Sequence, residues 1–499
     1  MRYNHLMKSY YRLRFIIIFL FVLFLRLSCP LTVYAVNTAP TAEQLQAAEE
    51  RKNIPAETNL LPGWPEGPVI GAQSAILVDA VSGAVLYEKN INERLYPAST
   101  TKLMTALLTI ENCSMNDVVT FSYDSVHNIE SSSSRIGIDE GEELTVEQCL
   151  YGLLLGSGNE VAYALAEQVA GNVDDFVKMM NERAQLLGCK NTHFVNANGL
   201  PDPEHYVSAY DLSLIARACF KNESLVTISG TAKYTIPPTN LQPQERPLEN
   251  HHLMVPGLRY EYEGFIGGKT GYTRDARQTL VTCAERDGMR LICVILKEEA
   301  PNQFLDTKAL LDYGFEGFAK LNISENEDRY TLNSSTFFKT NLDILGSSKP
   351  ILELNSSDYV VIPKTVEFSE LTVSVNYEDL PLNAVATLDY YFNGHKTGST
   401  AIEFADDTIQ PFDFSNVVKA GTRDDIPKKL IPSKNFIFVN ITRIIAILVG
   451  ALFIILMIIF SKNAAARYKY SAKQNMLKIK KRYKKRRKRL FTPINRKRK

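Results

Sequence analysis

A serine and a lysine three residues apart, Ser99 and Lys102 in PASTTKLMT, have the types and spacing of a nucleophile and its base. On a helix this spacing places both side chains on one face, one turn apart. A serine hydroxyl needs a base beside it, and a lysine serves as that base only when burial or a second cation keeps it neutral. The pair alone also fits a helix cap with a solvated lysine, so other elements must decide.

Two further elements offer partners for this pair. Ser157 and Asn159, in LLLGSGNEVAYA, lie between an apolar run and a helical pattern, where a hydroxyl could relay a proton and an amide could hold a carbonyl group. Lys269, Thr270 and Gly271, in GFIGGKTGYT, follow two glycines that permit close approach of another backbone. This lysine would supply the second cation, and the threonine could bind a carboxylate. Taken alone, Ser-Gly-Asn also fits an ordinary helix cap.

The letters Lys-Thr-Gly recur at Lys396, in LDYYFNGHKTGSTAIEF. Strand-like patterns flank Asn393-Gly394, a dipeptide typical of a two-residue β-hairpin turn. No serine–lysine pair accompanies this second copy. We therefore assign Lys269 to the site and interpret Lys396 as part of a hairpin.

The order S-x-x-K, S-x-N, K-T-G is the signature of penicillin-recognising serine enzymes. The wider stretches YPASTTKLMTALL, NTHFVNANGLPDPEHYVSAYDLSLIA, GGKTGYT and ERDGMRLICVIL resemble the D-alanyl-D-alanine carboxypeptidases, the low-molecular-mass penicillin-binding proteins of the S11 peptidase family. The resemblance covers about residues 71–318 strongly and the rest of the chain weakly. It implies a serine β-lactamase/transpeptidase-like α/β (α+β) catalytic domain, in which helices flank an antiparallel sheet.

The resemblance also implies a reaction and roles for residues. The substrate is a peptidoglycan stem peptide ending in D-Ala-D-Ala, β-lactams are inhibitors, and neither a cofactor nor a metal is needed. Ser99 attacks the penultimate D-alanine carbonyl, Lys102 takes its proton, and Ser157 passes a proton to the departing D-alanine. The substrate-binding residues are Asn159, Lys269, Thr270, Gly271 and Tyr272, and the backbone N–H groups of Ser99 and Tyr272 form the oxyanion hole.

One position departs from the family pattern. Gln303, in NQFLDTK, stands where the family has a basic residue that helps to hold the substrate carboxylate. Arg274 or Arg277 could compensate for it. The departure puts the strength of carboxylate recognition in doubt, but not the nucleophile.

Other functions fit less well or remain open. A class A β-lactamase needs a deacylating glutamate, and no E-x-x-L-N pattern lies between Asn159 and Lys269. A zinc peptidase is disfavoured because the seven histidines lack ligand spacing, and His251 and His252 fit a surface or structural role better than one in the cleft. A transpeptidase, a muropeptide endopeptidase and a membrane-tethered peptidoglycan-binding protein with a silent site remain alternatives.

The elements that must position these residues follow from periodicity. SAILVDAVSGAVLYEKN and RQTLVTCAERDGMRLICVIL read as hairpins, and STTKLMTALLTIEN, NEVAYALAEQVAG, VDDFVKMMNERAQLLG and FLDTKALLDYGFEGF read as helices. Strands thus open the region, helices fill it, and strands return. A single sheet built from distant parts of the chain explains that order.

Charge and hydropathy divide the 499 residues further. Residues 462–499 carry 18 Lys and Arg and no acid, whereas residues 36–461 carry 33 basic and 55 acidic residues. The 17 residues from Ile444 to Phe460 are uncharged, enough with the preceding apolar stretch to span a bilayer. Because Lys and Arg stay on the cytoplasmic side, the catalytic domain should be extracytoplasmic. The tail then contacts anionic lipid rather than nucleic acid.

The resulting domain organisation has seven parts. They are a signal peptide (1–35), which could instead be an uncleaved anchor, a linker with one short helix (36–68), the catalytic domain (69–319), a small all-β domain (320–424), a second linker (425–435), a transmembrane helix (436–461) and a polybasic cytoplasmic tail (462–499). The position of the β domain suggests that it holds the active site at a set height above the membrane.

Overall fold

The structure is a computed structural model that describes residues 40–130, 133–327, 352–378, 380–381 and 383–404. The predicted signal peptide, second linker, transmembrane helix and basic tail lie outside these ranges. Among the residues described, the structure has no helix long and apolar enough to cross a membrane.

Ten α-helices and three 3-10 turns occur in the described residues. The helices are α1 (Ala42–Arg51), α2 (Lys102–Asn112), α3 (Tyr123–His127), α4 (Val146–Leu154), α5 (Asn159–Ala170), α6 (Val173–Leu186), α7 (Ala209–Phe220), α8 (Glu223–Gly230), α9 (Asn302–Gly317) and α10 (Ile323–Asn326). The 3-10 turns are Glu57–Leu60, Ala98–Thr101 and Phe368–Glu370.

Fifteen strands accompany them in the same residues. They are β1 (Ser74–Asp79), β2 (Val85–Lys89), β3 (Val118–Thr120), β4 (Glu143–Thr145), β5 (Lys233–Ile236), β6 (Arg246–Glu249), β7 (Phe265–Thr273), β8 (Arg277–Arg286), β9 (Met289–Glu298), β10 (Phe318–Asn322), β11 (Leu352–Leu354), β12 (Tyr359–Pro363), β13 (Thr372–Asn376), β14 (Ala384–Phe392) and β15 (His395–Phe404).

The central sheet is antiparallel, with the order β2-β1-β9-β8-β7. Because side chains alternate between the two faces of a strand, β1 sends Ile76 and Val78 into a core shared with the helices and Leu77 into a second core on the opposite face. Both faces are therefore covered, which explains why β1 and β9 are apolar almost throughout. The predicted single sheet assembled from distant parts of the chain is confirmed.

Both predicted hairpins of the catalytic domain are present. β8 and β9 are joined by Asp287 and Gly288, which both have positive φ (49° and 72°), as a type I′ turn requires. Helix α5 ends at Gly171, whose φ of 79° is the left-handed conformation that closes helices.

The helix predicted from Ser99 begins differently. Ser99 lies in the 3-10 turn Ala98–Thr101, and α-helical geometry starts only at Lys102. A 3-10 turn brings residues i and i+3 nearly into line, so Ser99 and Lys102 still share one face.

The linker predicted over residues 36–68 is wrong from Pro40 onward, although its short helix is present as α1. Trp64 is buried and donates its indole N–H to the carbonyl oxygen of Leu86 at 2.9 Å. Arg51 donates to the carbonyl oxygen of Gly71 at 2.7 Å, and Lys89 donates to that of Arg51 at 2.9 Å. The Ala, Pro and Glu content typical of a linker here belongs to a segment that packs against the sheet.

The β domain forms a second antiparallel sheet, β10-β12-β15-β14-β13, with β11 paired to β15. Its first strand starts at Phe318, directly after α9, and not at residue 320. The domain is not separate, because its Val360 and Tyr390 belong to the same core as Leu77 of the central sheet and Trp64. The hydroxyl of Tyr359 donates to the buried carboxylate of Asp79 at 3.2 Å.

Candidate active site

Ser99 and Lys102 are in contact, as their spacing predicts. Lys102 Nζ donates a hydrogen bond of 3.0 Å to Ser99 Oγ. The lysine side chain is fully buried, whereas Ser99 is only half-buried and can be reached from solvent. A reachable hydroxyl with a buried amine behind it is the arrangement of an activated nucleophile.

Two other groups hold the amine of Lys102. It donates to Asn159 Oδ1 at 2.6 Å and to the carbonyl oxygen of Asn198 at 2.8 Å. Burial, together with the positive charge of Lys269, holds the pKa of Lys102 well below its usual range, and the nearby carboxylate of Glu160 opposes this shift. These partners fix the amine in place while the environment favours its neutral form, which can accept a proton.

Ser157 and Lys269 form a second buried pair. Lys269 Nζ donates to Ser157 Oγ at 3.2 Å and to the carbonyl oxygen of Thr270 at 2.9 Å. Burial lowers the pKa of Lys269 to about 7. Ser157 has a φ of 57°, a left-handed conformation that costs energy for a residue with a side chain. Such strain is retained where the surrounding structure needs one orientation of the hydroxyl.

The start of α5 carries the third element. Asn159 is its first residue, and its backbone N–H donates to the carbonyl oxygen of Ser134 at 2.9 Å. The next residue, Glu160, accepts from the backbone N–H groups of Ile136 (2.6 Å) and Gly137 (3.0 Å). The loop around residues 134–137 is thereby fixed to the helix that supplies Asn159.

Strand β7 approaches the nucleophile through glycine. A Cβ atom on Gly271 would lie 2.9 Å from the backbone nitrogen of Ser99 and would clash with Thr279 Oγ1. Ala98, the residue before the nucleophile, has a φ of 51°, and Gly199 packs directly against its carbonyl oxygen. The backbone N–H of Ser99 is thus held against the Lys-Thr-Gly strand, where an oxyanion hole requires it.

Gln303 and the two arginines that could compensate for it, Arg274 and Arg277, differ in burial and in hydrogen-bond partners. Gln303 is buried, its amide approaches Gln278 Oε1 only at 3.4 Å, and its own Oε1 has no partner among the described residues. Arg277 is paired with Glu299 at 2.6 Å and also donates to Gln44 Oε1 of α1 at 2.9 Å. Arg277 is therefore occupied, whereas Arg274 is exposed in the β7–β8 turn.

His252 and His205 serve the framework, whereas His251 is exposed and lines a groove beside Gly156. His252 is fully buried, and its Nε2 lies 2.9 Å from Thr282 Oγ1. Its ring occupies the space that a Cβ atom on Gly268 would need, so the predicted structural role of His252 is confirmed. His205 contacts Thr101 Oγ1 at 2.9 Å. In the part of the chain that the structure describes, no group of three His, Cys, Asp or Glu side chains could hold a metal ion.

All eight residues proposed from the sequence lie on or beside the elements that meet here: the 3-10 turn and the first residue of α2, the residues that lead into α5 and its first residue, and strand β7. The second Lys-Thr-Gly does not lie at this site. Its Lys396 pairs with Asp389 at 2.7 Å beside the Asn393-Gly394 turn, as predicted. Two further residues at the site, Asn198 and Glu160, were not predicted from the sequence. Asn198 contributes a backbone carbonyl, which leaves no side-chain signature, although its Asn-Gly pair is a turn signal.

Comparisons with known proteins agree with this geometry. Residues 64–300 match the family model described as D-alanyl-D-alanine carboxypeptidase, Peptidase S11. The chain is 37% identical over 254 residues to D-alanyl-D-alanine carboxypeptidase DacF of Bacillus subtilis, and the match covers 50% of this chain and 63% of that relative. It is 34% identical over 257 residues to DacB2 of Mycobacterium tuberculosis, covering 50% of this chain and 84% of the relative.

Among solved structures, penicillin-binding protein 5 from Haemophilus influenzae superposes with a TM-score of 0.54 at 26% identity. The match covers 68% of this chain and 98% of that protein. The family model matches only residues 64–300, which is a smaller part of the chain than this superposition covers. The shared fold therefore extends beyond the residues that the family model matches.

Proposed function

The chain belongs to the D-alanyl-D-alanine carboxypeptidase family of serine peptidases, and on that premise we propose that it removes the terminal D-alanine from peptidoglycan stem pentapeptides through an acyl-enzyme on Ser99. The observation that carries this proposal is the buried amine of Lys102, 3.0 Å from a half-buried Ser99 hydroxyl.

The steps follow from the contacts. Lys102 takes the proton of Ser99 as the hydroxyl attacks the penultimate D-alanine carbonyl, and the backbone N–H groups of Ser99 and Tyr272 receive the developing negative charge. Ser157, bonded to Lys269, delivers a proton to the departing D-alanine nitrogen. Asn159 holds the substrate amide, and Lys269 with Thr270 and Gly271 accommodates the terminal carboxylate. Water then hydrolyses the ester, whereas a β-lactam leaves Ser99 acylated.

The full-length protein, in detergent, provides the test beside its Ser99→Ala variant. Each is incubated with a stem pentapeptide ending in D-Ala-D-Ala, free D-alanine is assayed, and labelled penicillin is run in parallel. We expect D-alanine release and labelling from the wild type and neither from Ser99→Ala. Labelling without release would contradict carboxypeptidase activity and leave a penicillin-binding site that acts on another bond or acceptor.

We further propose that the protein is exported and anchored by residues 436–461, with the catalytic domain outside the membrane and the basic tail inside against anionic lipid. The charge asymmetry and the uncharged stretch Ile444–Phe460 support this. Proteolysis of intact spheroplasts should degrade the catalytic domain and spare a tag at residue 499. A tag that is cleaved from outside would contradict the orientation.

The β domain would then act as a spacer between enzyme and anchor. Because it shares a core with the catalytic domain, deleting it would expose apolar surface and confuse the result. Lengthening residues 425–435 with a Gly/Ser insert tests the idea without touching the described structure. Unchanged cell-wall trimming with the longer linker would contradict the spacer role.

A further inference from the structure

Arg277 is a buried arginine at the start of β8 that the mechanism above does not use. Its exposed fraction is 8%, and its backbone has a φ of 57°, the left-handed conformation that favours glycine. It lies opposite Thr273 and so closes the turn at the end of the Lys-Thr-Gly strand. A side chain at such a φ costs energy and is retained where the surrounding structure needs it. The contacts of the guanidinium must therefore account for this arginine.

The guanidinium joins three separate parts of the fold. Its Nε donates to both carboxylate oxygens of Glu299 at 3.0 Å, and its Nη2 donates to the same carboxylate at 2.6 Å. Nη2 also donates to Gln44 Oε1 at 2.9 Å, and Nη1 donates to the hydroxyl of Tyr272 at 3.4 Å. The carbon Cζ lies 5.6 Å from the centre of the Tyr272 ring, within the range of a cation–π contact. Since Glu299 follows β9, Gln44 belongs to α1 and Tyr272 belongs to β7, one side chain fixes three elements to one another.

Both partners that hold the guanidinium are themselves fixed. Glu299 is buried, and its backbone N–H donates to Glu298 Oε1 at 2.7 Å. Gln44 lies in the first turn of α1, where its Oε1 also accepts from the backbone N–H of Thr41 at 2.9 Å. In return, the backbone N–H of Gln44 donates to Thr41 Oγ1 at 3.2 Å. This reciprocal pair is a capping box, which holds the start of the helix and with it the side chain of Gln44.

Tyr272 needs such support because of its place in the sheet. β7 is the edge strand of the order β2-β1-β9-β8-β7, so within the described sheet it pairs with β8 alone. The strand ends at Thr273, and the next two residues, Arg274 and Asp275, are exposed. The proposed mechanism requires the backbone N–H of Tyr272 to face the oxyanion, and such a donor is effective because it is fixed before the reaction. The donor thus lies where the sheet itself holds the strand least.

We propose that Arg277 is a positioning residue for the acylation step and holds Tyr272 so that the backbone N–H of that residue stays directed at the oxyanion. Glu299 and Gln44 in turn hold Arg277, so the first turn of α1 belongs to the catalytic unit although it lies outside the three motifs. This inference rests on the proposed function of the site. It gives Arg277 a different role from that of a ligand for the substrate carboxylate, since its Nε and Nη2 are already bound to Glu299 and Gln44.

Two variants test this role from opposite ends of the contact. Arg277→Gly removes the guanidinium and places at a φ of 57° a residue that adopts this conformation freely. Gln44→Ala removes only the contact from α1 and leaves the ion pair of Arg277 with Glu299 in place. Thr41→Ala is the matched control for the second variant, because it weakens the same helix cap but keeps the side chain of Gln44.

The measurement is acylation of the full-length protein, in detergent, by labelled penicillin over a range of concentrations. This series separates the binding constant of penicillin from the rate constant of acylation. Release of D-alanine from the stem pentapeptide is assayed in parallel, and a urea midpoint shows whether each variant is folded.

A displaced oxyanion donor weakens the transition state and not the bound reactant. Arg277→Gly should therefore lower the acylation rate constant at least about tenfold and leave penicillin binding unchanged. Gln44→Ala should lower the rate constant about threefold, because only one contact of the guanidinium is lost. Thr41→Ala should leave it unchanged.

An unchanged rate constant in folded Arg277→Gly would overturn the proposal. Weaker penicillin binding at an unchanged rate constant would overturn it too, because the guanidinium would then be a ligand for the carboxylate. Should Arg277→Gly not fold, the second pair of variants decides, and equal rate constants in Gln44→Ala and Thr41→Ala would overturn the proposal. Each of these results leaves D-alanine release by the wild type in place, whereas its absence would overturn the proposed function and this inference together.

Discussion

Lys269 donates a hydrogen bond of 3.2 Å to Ser157, and its charge also lowers the pKa of Lys102. One cation therefore serves two steps, because it orients the group that protonates the leaving nitrogen and helps to keep the base of the nucleophile neutral. The same relationship explains why three short motifs far apart in the chain act as one unit.

Lys269→Gln should raise the pKa of Lys102 by removing the neighbouring charge. Because Ser99 reacts only when Lys102 is neutral, the acid limb of the acylation rate should move to higher pH, and the rate at pH 7 should fall at least about tenfold. The measurement is the second-order rate of labelling by penicillin between pH 5 and about 9. Lys396→Gln changes the other Lys-Thr-Gly and should leave the profile unchanged; an unmoved acid limb in Lys269→Gln would refute this role.

Gly271→Ala should disable acylation while the fold persists. The added methyl group would lie 2.9 Å from the nitrogen of Ser99, so the oxyanion donor must move away from the strand. Loss of one such donor lowers kcat by about 100-fold to 1000-fold, and we expect penicillin labelling to slow by a similar factor. Gly317→Ala is the control, since a Cβ there meets Pro65 only at an ordinary 3.7 Å. Equal labelling by the two variants would show that β7 tolerates displacement.

Unfolding should report one cooperative unit that includes both domains. Trp64 is the only tryptophan in the sequence and packs against Phe318 and His395, so its fluorescence monitors the contact between the domains. In urea, the fluorescence change and the loss of penicillin labelling should share one midpoint. If fluorescence changed at a lower concentration, the β domain would unfold independently.

Tyr359→Phe should lower both midpoints together. The change removes a hydroxyl donor from the buried carboxylate of Asp79, at a cost of about 1–3 kcal/mol in the free energy of unfolding. Tyr377→Phe alters an exposed ring and should have no effect. Labelling measured before unfolding should be normal in both variants, because neither residue contacts the site.

The stabilising contribution of His252 should depend on pH. Burial lowers its pKa in the folded protein to about 3, so below the unfolded value of 6.5 only the unfolded chain gains a proton there. The free energy of unfolding lost in His252→Asn should therefore shrink as pH falls from 6 to 4, by up to about 1.4 kcal/mol per pH unit. The variant is compared with the wild type at each pH because burial raises the pKa of Glu298 to about 8 in both proteins. This carboxyl group makes the folded state more stable as the pH falls, which is opposite to the effect of His252. A constant difference would mean that His252 is protonated in the fold.

The features that the sequence predicted correctly depend on short motifs or on residues that are close together in the chain. The Ser99–Lys102 spacing, the Asp287-Gly288 turn and the hairpin around Lys396 each depend on residues close together in the chain. Contacts that join distant residues left no pattern to find. Gln44 contacts Arg277 only because α1 packs beside the end of the sheet. The composition around Gln44 is typical of a linker, so the sequence did not predict this contact.

The path of residues 40–73 has a consequence for synthesis of the chain. These residues are made before the rest of the described structure, yet Pro62 accepts a hydrogen bond from Asn393, 331 residues later, and Gly71 donates one to Asp306, 235 residues later. Contacts of such sequence separation form slowly, because the long loop must close before they add stability. The contacts of this segment with Asp306 and Asn393 therefore form only after nearly the last strand has emerged. During that interval the side of Trp64 that packs against Phe318 and His395 is open to chaperones and proteases.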